Sequence, residues 1–192
     1  MLDLIEAAVL GRLQTLKETS SRIELAGYAG ELSDGDLLAK VAAAGMAVLV
    51  LVPSGKFTRR SNRRFNFDGV VRLVIFVRQA RGQAETRMGT AGQMGSYALW
   101  DSCMRLLTDF HPSNEAAGLS ADGLVPTTYN NLVNGKTERD YLSVLGQSFA
   151  IKADWTVPED AAEPLLGIDL NYYLKPGDDF IDASDHVPLE NT

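Results

Sequence analysis

Met46 to Val52 reads MAVLVLV, seven apolar residues in a row with no polar alternation. A strand with one wet face alternates apolar and polar residues, so an unbroken apolar run needs cover on both faces and belongs inside a sheet. Pro53 is expected to end it. A second run, Val70 to Val77, places Val71, Leu73, Ile75 and Val77 on one face, while Arg72 interrupts the other. Between the two lies KFTRRSNRRFNF, Lys56 to Phe67, with five basic residues in twelve. We expect this basic loop to join the strands and to crown a hairpin.

The remaining segments supply helices to cover that sheet. Leu2, Ile5, Val9, Leu13 and Leu16 recur at intervals of three and four, the stripe of an N-terminal helix ending near Lys17. Arg22 to Tyr28 reads as a short strand or extended connector. Ser33, with Asp34 and Asp36 beyond it, offers an N-cap for a helix over Leu37 to Ala44, which Gly45 stops. Gly82 to Gly92 is a glycine-punctuated loop leading into a second long helix from about Gln93 to Phe110, with Leu99, Cys103, Leu106, Leu107 and Phe110 on its apolar stripe. His111-Pro112 marks the end of that helix, with the imidazole serving its terminal carbonyls. Leu124 to Val133 is a further strand, and Asn134-Gly135 a hairpin turn into the long strand Tyr141 to Thr156. There Leu145, Gln147, Phe149, Ile151, Ala153 and Trp155 share one face, against Gly146, Ser148, Ala150, Lys152 and Asp154 on the other.

This order predicts an α+β fold, a largely antiparallel sheet with two main helices packed on one face and an extended C-terminal arm. The domain spans residues 1–156 and the acidic arm residues 157–192. With 192 residues, 45% of them hydrophobic, the chain suffices for one well-buried core. Cys103 has no partner for a disulfide, the N-terminus lacks the marks of a signal peptide, and no apolar run approaches the ~20 residues of a membrane helix. A soluble protein of a reducing compartment, without membrane contact, is expected.

Charge is divided between two regions. Lys56 to Arg87 holds nine basic and two acidic residues, a local excess of +7, while Val157 to Thr192 holds nine acidic residues and one lysine, −8. Opposite potentials on one chain let the acidic arm of one copy meet the basic loop of the next. The alternative is solvated surface on both.

Sites for chemistry are sought without success. Pro53-Ser54-Gly55-Lys56 resembles the end of a phosphate loop, but Val50 stands where its first glycine belongs and Phe57 where it needs Ser or Thr. Gly89, Gly92 and Gly95 have the wrong spacing for a dinucleotide fingerprint and read as a flexible approach to the helix. One Cys and two His, His111 and His186, make no zinc cluster, and the acidic run around Asp178 and Asp182 lacks the calcium-loop pattern. Cys103, inside an apolar stripe, reads as core. No catalytic residue, cofactor or metal site is expected.

The parts and their order resemble the Mu-like phage tail terminator (neck) proteins, encoded near the contractile sheath. The resemblance rests on IEAAVLGRL, AVLVLV with the arginine-bearing segment after it, VVRLVIFVRQARGQAETR, GSYALWDSCMRLL and NNLVNGKTERDYLSVLGQSFAIKADW, and on the acidic ending with DLNYYLKPGDD and ASDHVPLE. It implies a structural virion protein, assembled in the host cytoplasm into a homohexameric ring that ends the tail tube and takes part in head-tail joining. Its partners would be its own copies, tube and sheath proteins and a connector or neck protein. In that setting Lys56, Arg59, Arg60, Arg63 and Arg64 would face the lumen or the ring's end face, meeting a partner or, transiently, genomic DNA. Leu170, Tyr172, Tyr173, Asp178 and Asp179 would carry the arm's contact between subunits. The competing reading is a nucleic-acid binder without sequence specificity, in which Phe57, Phe65 and Phe67 stack on bases between the arginines.

Overall fold

The computed structural model describes residues 1–30, 35–78, 83–90, 93–132, 142–158, 167–172 and 183–188. The chain divides into a unit Met1–Pro158 and a unit Glu159–Thr192. In the first, α1 (Leu2–Leu13), the one-turn α2 (Leu16–Thr19), β1 (Ile23–Gly27) and α3 (Gly35–Ala44) precede two long strands, β2 (Met46–Ser61) and β3 (Arg64–Arg78). Then come α4 (Gln83–Met88), α5 (Ser96–Leu107), a turn of 3₁₀ helix, β4 (Leu119–Ala121), β5 (Val125–Asn131) and β6 (Leu142–Thr156). The sheet runs β1-β2-β3-β6-β4, with β5 also on β6; β1 is parallel to β2 and the other pairs are antiparallel. The fold is α+β, as expected.

Both faces of the apolar half of the sheet are covered, which explains the missing alternation in MAVLVLV. Val48, Val50, Val71, Leu73, Ile75, Val77, Leu145 and Phe149 pack with Ile5, Val9 and Leu13 of α1 and Leu99, Cys103 and Leu107 of α5. On the opposite face Ala47, Leu49, Val74, Phe76, Leu142 and Val144 pack with Val41 of α3. The two main helices thus share one face and the small α3 covers the other. A buried polar seam fixes α5 on β6: Trp100 donates Nε1–H to Gln147 Oε1 at 3.0 Å, and the hydroxyls of Ser96 and Ser143 meet at 2.9 Å. In this core the Cys103 thiol is pushed up to about 12 by burial.

Several local expectations are corrected. The N-terminal stripe is split at Gln14 and Thr15, where the Thr15 hydroxyl donates to the Arg12 carbonyl, and Leu2 at the helix start is 45% exposed. Pro53 does not end its strand; it lies in a register shift between Leu51 and Ser54, where a missing N–H breaks no ladder bond. The segment before α5 contains α4, and α5 begins at Ser96 rather than near Gln93. Gly89 and Gly95 mark a close backbone crossing rather than a flexible approach, since a Cβ on Gly95 would lie 2.3 Å from the Gly89 nitrogen. His111 turns its Nδ1 to the Ala121 carbonyl at 3.1 Å, serving β4 instead of the helix end. Gly45 does stop α3, at φ +84°. Ser33 and the Asn134-Gly135 turn lie outside the described residues.

The second unit contains a two-stranded antiparallel ladder, β7 (Gly167–Tyr172) with β8 (Ala183–Pro188), paired from Gly167↔Pro188 to Tyr172↔Ala183. The acidic arm therefore has regular structure of its own.

Candidate functional site

Past Leu51 the long strands leave the cover of the helices. Lys56 to Phe67 is not a loop: β2 and β3 remain paired through Ser61↔Arg64, and only Asn62 and Arg63 turn. β6 runs alongside to Thr156, so the projection is three strands wide, with β4 closing the far side of β6. Opposed residues share a face, so the register sorts the side chains. Phe57, Phe67 and Ala153 form one row, and Arg59, Phe65 and Trp155 the next, on the face continuous with the α1 and α5 core. Lys56, Asp68 and Lys152 form a row on the other face, followed by Thr58, Asn66 and Asp154 and then Ser61, Arg64 and Thr156.

The aromatic face carries the core outward. Phe57 lies 4.9 Å from Phe67 and 6.4 Å from Trp155 between ring centroids, and Phe65 lies 6.2 Å from Trp155. Phe67 is the anchor, 2% exposed, and its ring covers the opposed pair Gly55 and Gly69. A Cβ at Gly55 would come within 2.1 Å of that ring and one at Gly69 within 2.3 Å. Gly55, in the segment that resembles the end of a phosphate loop, instead seats a phenylalanine. Phe67 is thus out of reach of any base, and Phe57, Phe65 and Trp155 pack on one another.

The five basic residues divide into distinct roles. Arg63, at φ +62°, donates through Nε to the Val157 carbonyl at 3.3 Å and through Nη2 to the Pro158 carbonyl, while the Val157 N–H returns a bond to the Arg63 carbonyl at 2.8 Å. It ties the hairpin tip to the end of β6. Arg59 folds back on the tip, donating to the Ser61 carbonyl and to Asn62 Oδ1. Lys56, Arg60 and Arg64 make no hydrogen bond or ion pair among the described residues, and all three are exposed. Lys56 and Arg64 share the polar face, Arg60 sits in a register shift between Arg59 and Ser61, and Asp68 and Asp154 dilute the positive field between them. Asn62 accepts from Arg59 through Oδ1, and Asn66 Oδ1 is buried without a partner among the described residues.

The sequence reading missed Lys152, Asp154 and Trp155 as neighbours of the basic segment. Their alternation was visible, but only strand pairing shows that β6 lies beside β3. Of the arm residues, Leu170 and Tyr172 belong to β7; Tyr173, Asp178 and Asp179 lie outside the described residues. Among the described residues no three His, Cys, Asp or Glu side chains are grouped as ligands of a metal, and no helix is long and apolar enough to cross a membrane.

Among curated proteins the chain has no match. The family model described as bacteriophage Mu, Gp37, matches residues 1–154, which covers the sheet, both main helices and nearly all of β6. The chain therefore belongs to the bacteriophage Mu Gp37 family and is a Mu-like phage structural protein.

Proposed function

We propose that this protein is a ring-forming subunit, six copies to a ring, that ends the tail tube of a contractile tail and joins the tail to the neck or head. The observation that carries the reading is the three-stranded projection. It is anchored by Phe67 to the main core yet leaves the side chains of Lys56, Arg60 and Arg64 exposed and without partners among the described residues. Charges with no internal role cost little to leave solvated, and they are available to a complementary surface or to phosphate passing through a channel. The acidic second unit supplies the opposite potential on the same chain.

The burial of Phe67 in its glycine seat takes one of the three phenylalanines out of reach of bases, which favours this reading over a dedicated nucleic-acid binder that stacks on open rings. The test is complementation of a phage lacking the protein with Lys56→Ser/Arg60→Ser/Arg64→Ser. Electron micrographs should show fewer joined particles and more free or overlong tails, with the purified variant still folded by circular dichroism. Normal counts of both would overturn the proposal, and selective binding of one DNA sequence by the wild type would replace it.

A further inference from the structure

Among the described strands, the longest unpaired stretch of a central strand is the outer side of β2 past Val50. β1 pairs with β2 from Met46 to Val50, and the Tyr28 N–H donates to the Val50 carbonyl. From Leu51 to Ser61 no strand among the described residues pairs with the outer edge of β2. On the other side β4 and β5 close β6. Unpaired N–H and C=O groups over this length form a template for another strand, and an unguarded edge is a liability that folds normally cover.

Arg63 holds Val157 and Pro158 beside the turn, at the end of β6. β6 is two strands away from β2, so this tie lies away from the unpaired side of β2.

We infer that the outer edge of β2, Leu51 to Ser61, receives β7 of a neighbouring copy, adding a strand to the sheet. The inference rests on the ring-subunit reading and names the contact within it. The period-two pattern of β7 fits the edge. Positions Ile168, Leu170 and Tyr172 fall on one face and Asp169 and Asn171 on the other. The edge offers Phe57, 47% exposed, on one face and Lys56 on the other, with Arg60 at the shift. Apolar positions then meet the aromatic row and Asp169 meets the lysine, within an acidic segment of net charge −8.

The test uses purified full-length protein in two differently tagged forms. One carries Thr58→Cys or Arg60→Cys, the other Asp169→Cys or Asn171→Cys; Cys103 is buried and stays silent. After mild oxidation of the mixture, at least one pairing should give a disulfide between the two tags. Self-association measured by sedimentation should weaken at least tenfold in Lys56→Glu/Arg59→Glu/Arg60→Glu, with an unchanged circular dichroism spectrum. Self-association with no cross-link between the tags in any pairing, or a protein that stays monomeric at high concentration, would each overturn the inference. A cross-link found together with normal tail completion by the basic variant would instead retire the neck role and leave the strand contact standing.

Discussion

The strands β2, β3 and β6 each pass through two environments, and the difference lies in what covers them. In the lower half, Ala47–Val50, Leu73–Val77 and Leu142–Leu145 are packed on both faces, with α1 and α5 on one side and α3 on the other. In the upper half, Gly55–Ser61, Arg64–Gly69 and Ala150–Thr156 keep the same ladder, but only one face is apolar and the other carries alternating charge. One apolar face therefore suffices to sustain the strands, and burial decides which residues the other face tolerates. The lower half supplies stability, and the upper half is free to carry surface chemistry.

The sharpest break in this contrast comes from paired truncations. Phe149→Ala, in the helix-covered core, should lose about 3–5 kcal/mol in urea unfolding, whereas Phe57→Ala, at the exposed rim, should lose less than about 1 kcal/mol. Equal losses would mean that the two halves share one core. Gly55→Ala should cost about 1–3 kcal/mol, because its methyl must displace the Phe67 ring. Recovery of that loss in Gly55→Ala/Phe67→Leu would confirm the ring seat, and no loss in the single variant would refute it.

A smaller effect separates the helices' core from the solvent by titration. The Cys103 thiol has a raised folded value, about 12 against the ordinary 9.0, so below pH 9 it contributes no pH dependence. As pH climbs from 9 towards 12 the unfolded chain ionises and the folded chain does not, so stability falls. At pH 10.5 the loss from this group is about 1–2 kcal/mol. Unfolding of the wild type and Cys103→Ala should converge by that amount between pH 8 and pH 10.5; a constant gap would place the thiol in contact with water. The smallest effect is on the projection. Arg63→Ala, which cuts the ties to Val157 and Pro158, should cost about 1 kcal/mol, while Arg60→Ala should stay within about 0.5 kcal/mol. Hydrogen exchange of the β6 end, faster in the first variant alone, reads the difference directly.

What the sequence determined by itself is the part governed by local periodicity. The helical stripes of α1 and α5, the interior position of MAVLVLV, the alternation of β3 and β6 and the burial of Cys103 were all legible, because each reflects which face of a regular element meets water. The division of charge was legible too, since it needs only counting. Tertiary structure decided everything that depends on which strand lies beside which. It made a paired projection of the basic segment, seated Phe67 on Gly55 and Gly69, separated the Arg63 tie from the exposed Lys56, Arg60 and Arg64, brought Lys152, Asp154 and Trp155 alongside, and left one edge of β2 open. These facts join residues as far as 94 positions apart, as Arg63 and Val157 are. No local pattern encodes a contact at such range, because its partner is chosen by the packing of the whole sheet.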